Sequence, residues 1–129
     1  MNVDTQLHLT TLRSMLTFQR SELQSDLHAL QLARERLLSD ITTAEVTDRK
    51  DDAAAEREFD VSEAAQERLL CELARCDGAL RRLDEERYGD CNDCGDSIPW
   101  PRLLAQPAAE RCAACQRAFE RGTRALART

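Results

Sequence analysis

Leu9, Leu16, Leu23, Leu30 and Leu37 recur at intervals of seven, five times without a break. Neither proline nor glycine interrupts residues 1–77. A sustained period of 3.5 residues predicts a helix that packs along a partner helix. The companion row reads Leu12, Gln19, Asp26, Ala33 and is imperfect, with Leu27 and Leu38 broadening the apolar stripe instead. The expected first arm covers about residues 7–39, roughly 50 Å at ~1.5 Å per residue. His8 and His28 lie on it twenty residues apart, face no evident partner, and read as surface helix residues.

Residues 40–47 lose the heptad and gain threonines, as expected where a helical hairpin turns. A second heptad then begins, with Phe59, Gln66, Leu73 and Leu80 in one row and Ser62, Leu69, Cys76 and Leu83 in the other. It predicts a second arm over about residues 49–87, long enough to return along the first. Gly78 inside it costs about 1 kcal/mol relative to Ala in an exposed helix. Cys76 falls on the seam and Cys71 off it, and both read as small buried residues rather than as a site.

Between the arms lies Asp48-Arg49-Lys50-Asp51-Asp52-Ala53. Asp48 suits an N-cap and Asp51 the acidic third position, an arrangement like a capping box that also complements the helix macrodipole. That structural role is compatible with carboxylates facing outward from the tip. The whole region is acidic: residues 40–63 hold nine acids against three bases, an excess equal to the net charge of -6 of the chain. Residues 98–129 hold six arginines against Glu110 and Glu120. This dipolar pattern suggests a basic partner surface for the middle of the chain. The net acidity argues against a main role in binding a phosphate backbone.

Cys91-Asn92-Asp93-Cys94 and Cys112-Ala113-Ala114-Cys115 form two Cys-x-x-Cys pairs separated by seventeen residues. Each pair can present two thiolates from a tight turn, and together they complete a tetrahedral four-sulfur zinc site. Four protein ligands leave no open position, so the expected single zinc ion is structural. A redox dithiol would need a βαβ context that is not evident here, and it would leave the second pair unexplained. Gly95 permits the positive φ such a knuckle needs. The segment 97–109, with all three prolines, is expected as a loop, and residues 113–127 as a final arginine-rich helix. Only 4% of the residues are aromatic, so a small chain with this thin a core gains from a metal staple.

The fold class expected is therefore all-α dominated. A long antiparallel coiled-coil hairpin (residues 1–88, tip 40–53) is joined to a small four-cysteine zinc ribbon with a C-terminal helix (89–129). No apolar run of signal-peptide or membrane-span length is present, so a cytoplasmic location with reduced thiols is expected.

These parts together resemble the DksA/TraR family of bacterial transcription factors over roughly residues 9–121. The most specific stretch is Tyr88-Gly89-Asp90-Cys91-Asn92-Asp93-Cys94-Gly95, followed by Ile98, Arg102-Leu103, Ala105, Pro107, Cys112 and Cys115. Asp48-x-x-Asp51-x-Ala53 resembles the family's tip motif, with Glu58-Phe59 at the family's spacing. The resemblance implies a non-enzymatic, monomeric regulator that binds RNA polymerase and is not a sequence-specific reader of DNA. It implies a hairpin entering the secondary channel, tip residues Asp48, Asp51 and Ala53 near the active centre, and a globular part docked on the channel rim. It also implies action together with the alarmone ppGpp in many members. Arg68 and Arg75 match the family's ppGpp contacts, whereas Gln106 and Gln116 stand where well-studied members have Arg and Lys, which places ppGpp binding in doubt.

Two other readings compete. A zinc ribbon could bind DNA through its basic C-terminal helix, although the aromatic platform for bases is missing. A transcript-cleavage factor could use Asp48 and Asp51 to hold a second metal ion.

Overall fold

A computed structural model describes residues 3–43 and 49–127. It contains four helices: α1 (Val3–Thr43), α2 (Arg49–Asp84), α3 (Trp100–Ala105) and α4 (Ala113–Ala127). Among the described residues the only β pairing is an isolated antiparallel bridge between Asp90 and Ser97. No described helix is long and apolar enough to cross a membrane. The first arm thus starts four residues earlier and ends four later than the 7–39 read from the heptad. Its flanks contain no proline or glycine, so the helix runs on where the apolar period has already faded.

The chain divides into two compact units, one of residues 20–74 and one of residues 1–19 together with 75–129. The first is the helical hairpin proper. Leu23 is buried, and Leu27, Leu30, Arg34 and Leu37 follow half-buried at intervals of four, three, four and three. On α2 the facing seam is Phe59, Ser62, Gln66, Leu69 and Leu73, each half-buried. The Arg34 guanidinium lies 4.6 Å from the centre of the Phe59 ring, so the seam is closed in part by a cation–π contact. Leu38 does not broaden the stripe as expected; it is 47% exposed, one position past the seam residue Leu37. Cys71 is likewise exposed, not buried, because it lies off the seam that takes Leu69 and Leu73.

The second unit holds the deeper core. Leu12, Leu16, Cys76 and Ala79 are 0% exposed, with Leu83 beside them on the same heptad as Cys76. Leu12 also joins a cluster with Cys91, Ile98 and Leu103, against which Tyr88, Trp100 and Ala109 pack. His8 is no isolated surface residue. Its ring stacks on Trp100 with centroids 5.0 Å apart and planes 28° from parallel. An exposed ion pair, Arg13–Asp84 at 2.8 Å, adds little, since such pairs are worth about 0–1 kcal/mol.

α2 stops at Asp84, three residues short of the expected 87, for a local reason. The N–H of Glu86 donates to the Leu83 carbonyl and that of Arg87 to the Arg82 carbonyl. Glu86 carries φ +59. This is a Schellman cap with a non-glycine residue in the left-handed position. The strain there costs about 1–2 kcal/mol, yet the cap turns the chain sharply into the metal-binding ribbon.

Candidate metal centre

The ribbon starts from two glycines in the left-handed region, Gly89 at φ +96 and Gly95 at φ +78. Between them the Cys91 N–H donates to the Asp96 carbonyl at 2.8 Å and the Ile98 N–H to the Gly89 carbonyl at 2.7 Å. The Gly95 N–H closes the knuckle onto the Cys91 carbonyl at 3.0 Å. A Cβ at Gly95 would meet nothing within 4 Å, so its backbone angle alone calls for glycine.

The second pair is delivered by a loop and a helix start. Pro99 caps α3, its carbonyl accepting from the N–H groups of Arg102 and Leu103, both at 3.1 Å. Pro101 sits in the first turn, where its missing N–H costs nothing. This short helix was not expected from sequence; Pro99 and Pro101 read as loop residues, although proline at a helix start is the signal that marks it. The Asn92 N–H then bonds the Glu110 carbonyl at 2.9 Å, setting the segment before Cys112 against the first knuckle. Cys112 caps α4, its carbonyl accepting from the Gln116 N–H at 2.9 Å, and Cys115 lies in the first turn.

These turns bring Cys91, Cys94, Cys112 and Cys115 together, their Sγ atoms all within 4.8 Å of one another. The Cys94 and Cys112 sulfurs are 3.9 Å apart. Zn–S bonds of about 2.3 Å in a tetrahedron require sulfur–sulfur separations of about 3.8 Å. The four residues therefore fit one zinc ion held structurally.

Electrostatics point the same way. Backbone N–H groups of Cys94 and then Cys112 pull the Cys91 thiol down to about 6. Hydrogen bonding to the Cys112 and Cys91 sulfurs, with burial, pushes Cys115 far above the ordinary thiol range. One thiolate forms readily, and Cys94 and Cys115 then resist ionising until a cation supplies the opposing charge.

Two further residues belong to this site; sequence reasoning missed Arg111 and gave Tyr88 no role beyond its place in the ribbon signature. Arg111 donates from Nε to Asp93 Oδ2 at 2.9 Å and stacks over Phe119 at 4.0 Å. Its carbonyl accepts from Arg102 Nε at 3.0 Å. One side chain thus ties the first knuckle to α4 beside the second. No sequence periodicity marks it; only its place directly before Cys112 does.

Tyr88 is the other. Its hydroxyl donates to the Pro107 carbonyl at 2.8 Å, pinning the loop across the ribbon. Burial raises this phenol to about 12, against a smaller lowering by Arg82. The folded state therefore favours the neutral phenol. Its contribution is complete below the unfolded value near 10 and is lost as pH rises towards 12. Tyr88→Phe is expected to cost about 1 kcal/mol at neutral pH and to flatten the fall in stability between those two values. Urea titrations of both proteins at several alkaline pH values read both effects.

The remaining sequence-selected residues lie elsewhere. Asp48 falls outside the described residues, and so does the expected cap at its side chain. Asp51 is helical, but its side chain is likewise outside them. Ala53 is half-buried in α2, and Arg68 and Arg75 are exposed on it. Gln106 is exposed just after α3, while Gln116 bonds Glu120 at 3.2 Å on α4.

A helical hairpin with a four-cysteine zinc finger is the class this fold and site define. Residues 86–121 match the family model of the prokaryotic dksA/traR C4-type zinc finger. The RNA polymerase-binding transcription factor DksA of Haemophilus influenzae is 32% identical over 69 residues, 54% of this chain and 48% of that protein. A protein of Aquifex aeolicus is 40% identical over 52 residues, 40% of this chain and 36% of that protein. The matched stretch thus spans about half or less of the length of these curated relatives. The solved structure of transcription factor DksA2 from Pseudomonas aeruginosa superimposes with a TM-score of 0.74, at 28% identity, over 92% of this chain and 87% of that one. Residues 86–121 thus match the zinc finger of the DksA/TraR family, and the chain is similar to DksA proteins in sequence and in fold.

Proposed function

We propose that this chain regulates transcription by binding RNA polymerase, without itself catalysing a reaction or reading DNA sequence. The observation that carries the reading is the match, over more than half of this chain, to a relative named as an RNA polymerase-binding transcription factor. The hairpin would enter the secondary channel and the globular part would dock on its rim. Asp48, Asp51 and Ala53 at the tip would then lie near the active centre and modulate initiation. Two packed helices make a thin, stiff rod, and the acidic excess of residues 40–63 suits a route towards a metal-dependent catalytic centre.

In vitro transcription from a ribosomal-type promoter with purified polymerase tests this. Asp51→Asn and Ala53→Thr are expected to abolish the effect of the protein while leaving its binding to polymerase within a few-fold of the parent. If both variants act like the parent, the functional reading of the tip is wrong. The same assay addresses ppGpp. Arg68 and Arg75 remain as candidate contacts, but two cations facing a pyrophosphate are replaced by Gln106 and Gln116. Charge-assisted hydrogen bonds are worth about 1.5–3 kcal/mol each, so ppGpp is expected to add nothing to the parent. Gln106→Arg/Gln116→Lys should introduce a response.

A further inference from the structure

The two halves of the metal centre are held by different means. Cys112 and Cys115 belong to the cap and first turn of α4, so the hydrogen bonds of a helix of fifteen residues fix them. Cys91 and Cys94 sit in a knuckle with no helix behind it. Cys94 is the exposed member of the four, Cys91 being buried and Cys112 and Cys115 half-buried. The half able to open is therefore the first knuckle, and Cys94 is the sulfur that solvent reaches first.

Two ties cross from this knuckle to the segment before α4. One is main-chain, from the Asn92 N–H to the Glu110 carbonyl, and no side-chain substitution removes it. The other is the Arg111 side chain, whose Nε donates to Oδ2 of Asp93, the residue directly before Cys94. The same guanidinium lies 4.0 Å from the centre of the Phe119 ring. Phe119 follows Cys115 by four residues, one turn further along the same face of α4. A planar guanidinium can meet a carboxylate with its edge and a ring with its face at once, which an ammonium group cannot. The Arg111 backbone is held as well, its carbonyl accepting from Arg102 Nε at 3.0 Å. With its side chain 19% exposed, Arg111 is far more sheltered than the open Arg13–Asp84 pair. The neighbouring Glu110 carboxylate is 3.8 Å from Arg111 Nη1, beyond hydrogen-bond reach.

We propose that Arg111 is a positioning residue for the metal centre: its side chain latches the first knuckle closed through Asp93 and so sets how long a zinc ion stays bound. The latch rests on the four-sulfur zinc assignment and is independent of the polymerase reading. Groups that orient a metal ligand without touching the metal typically change affinity by about 10–100-fold. Because Arg111 opposes the opening of a formed knuckle, that factor falls on release rather than on capture.

Transfer of zinc from the loaded full chain to an excess of a colorimetric chelator reads the release rate. Arg111→Gln and Asp93→Asn should each speed release about 10–100-fold, with helix content by circular dichroism equal to the parent. The double variant should release no faster than the faster single one, because both substitutions cut the same tie. Arg111→Lys keeps the charge but not the planar fork, and should release nearly as fast as Arg111→Gln. Glu110→Gln should match the parent. Parent-like release from both Arg111→Gln and Asp93→Asn overturns the proposal. So does full recovery in Arg111→Lys, which would reduce the effect to charge alone, or a Glu110→Gln as fast as Asp93→Asn. Effects that multiply in the double variant overturn it too, since Arg111 would then act other than through Asp93. Should Arg111→Gln fail to load zinc, Asp93→Asn decides alone, and a parent-like rate there overturns the latch.

Discussion

Cys112→Ser is expected to strip the zinc and unfold the unit of residues 1–19 and 75–129, with far-UV helicity and thermal transition both falling. Structural zinc contributes about 10–16 kcal/mol to small finger peptides at neutral pH. Losing even a quarter of that is at least half of the total stability at the lower end of the usual ~5–15 kcal/mol. The sulfur at this position is 3.9 Å from that of Cys94 and sits at the cap of α4, so both the coordination and the helix start are disturbed. Native mass spectrometry should show one zinc in the parent and none in the variant. Cys71→Ser, at an exposed position off the seam, provides the control and should retain metal and melting temperature. Because Cys94 and Cys115 hold their protons more tightly than an ordinary thiol, zinc uptake should release protons and its affinity should fall as pH falls. Full metal content in Cys112→Ser would sink the four-sulfur assignment.

Leu12→Ala should be the most damaging change outside the cysteines. Leu12 is 0% exposed and touches the cluster of Cys91, Ile98 and Leu103, so its truncation leaves a cavity that helices on two sides cannot easily close. Such substitutions cost about 2–5 kcal/mol. Leu38→Ala, at a side chain 47% exposed, should cost no more than about 0.5 kcal/mol. Three of the four cysteines pack against the same cluster, so Leu12→Ala is also expected to weaken zinc binding, about ten-fold for a coupling near 1.4 kcal/mol. Urea denaturation and competitive chelator titration measure the two effects separately. Equal costs for Leu12→Ala and Leu38→Ala would mean that the cluster is not the anchor of the first arm.

What was legible in the sequence was whatever repeats or whatever has a fixed chemical spacing. The two rows of the second arm, from Phe59 and Ser62 to Leu80 and Leu83, are buried or half-buried at all eight positions. The Cys-x-x-Cys spacing brought four sulfurs within reach of one ion because the knuckle is a local structure. Contacts between distant segments left no such trace. His8 stacks on Trp100 ninety-two positions away, and a lone histidine on a helix carries no mark of the ring it will meet. Arg111 reads as one arginine of a basic segment until Asp93 and Phe119 are seen on either side of it. The early end of α2 rests on a glutamate in a conformation that sequence rules assign to glycine. Helix α3 is a single turn and a half, too short for periodicity to register, and its prolines signal a loop and a helix start equally well.

Leu12 has one more consequence, for how the molecule comes into being. It closes the core beside Cys91 from a position seventy-nine residues earlier in the chain. Bringing together segments so far apart carries a loop-closure cost that grows only slowly with length, but it delays the contact until both have been made. During synthesis the first arm emerges long before the four clustered cysteines, and its Leu12 must wait, exposed, for the last third of the chain. Metal capture is therefore a late event in folding, and a shortage of zinc would be felt at the beginning of the chain as much as at its end.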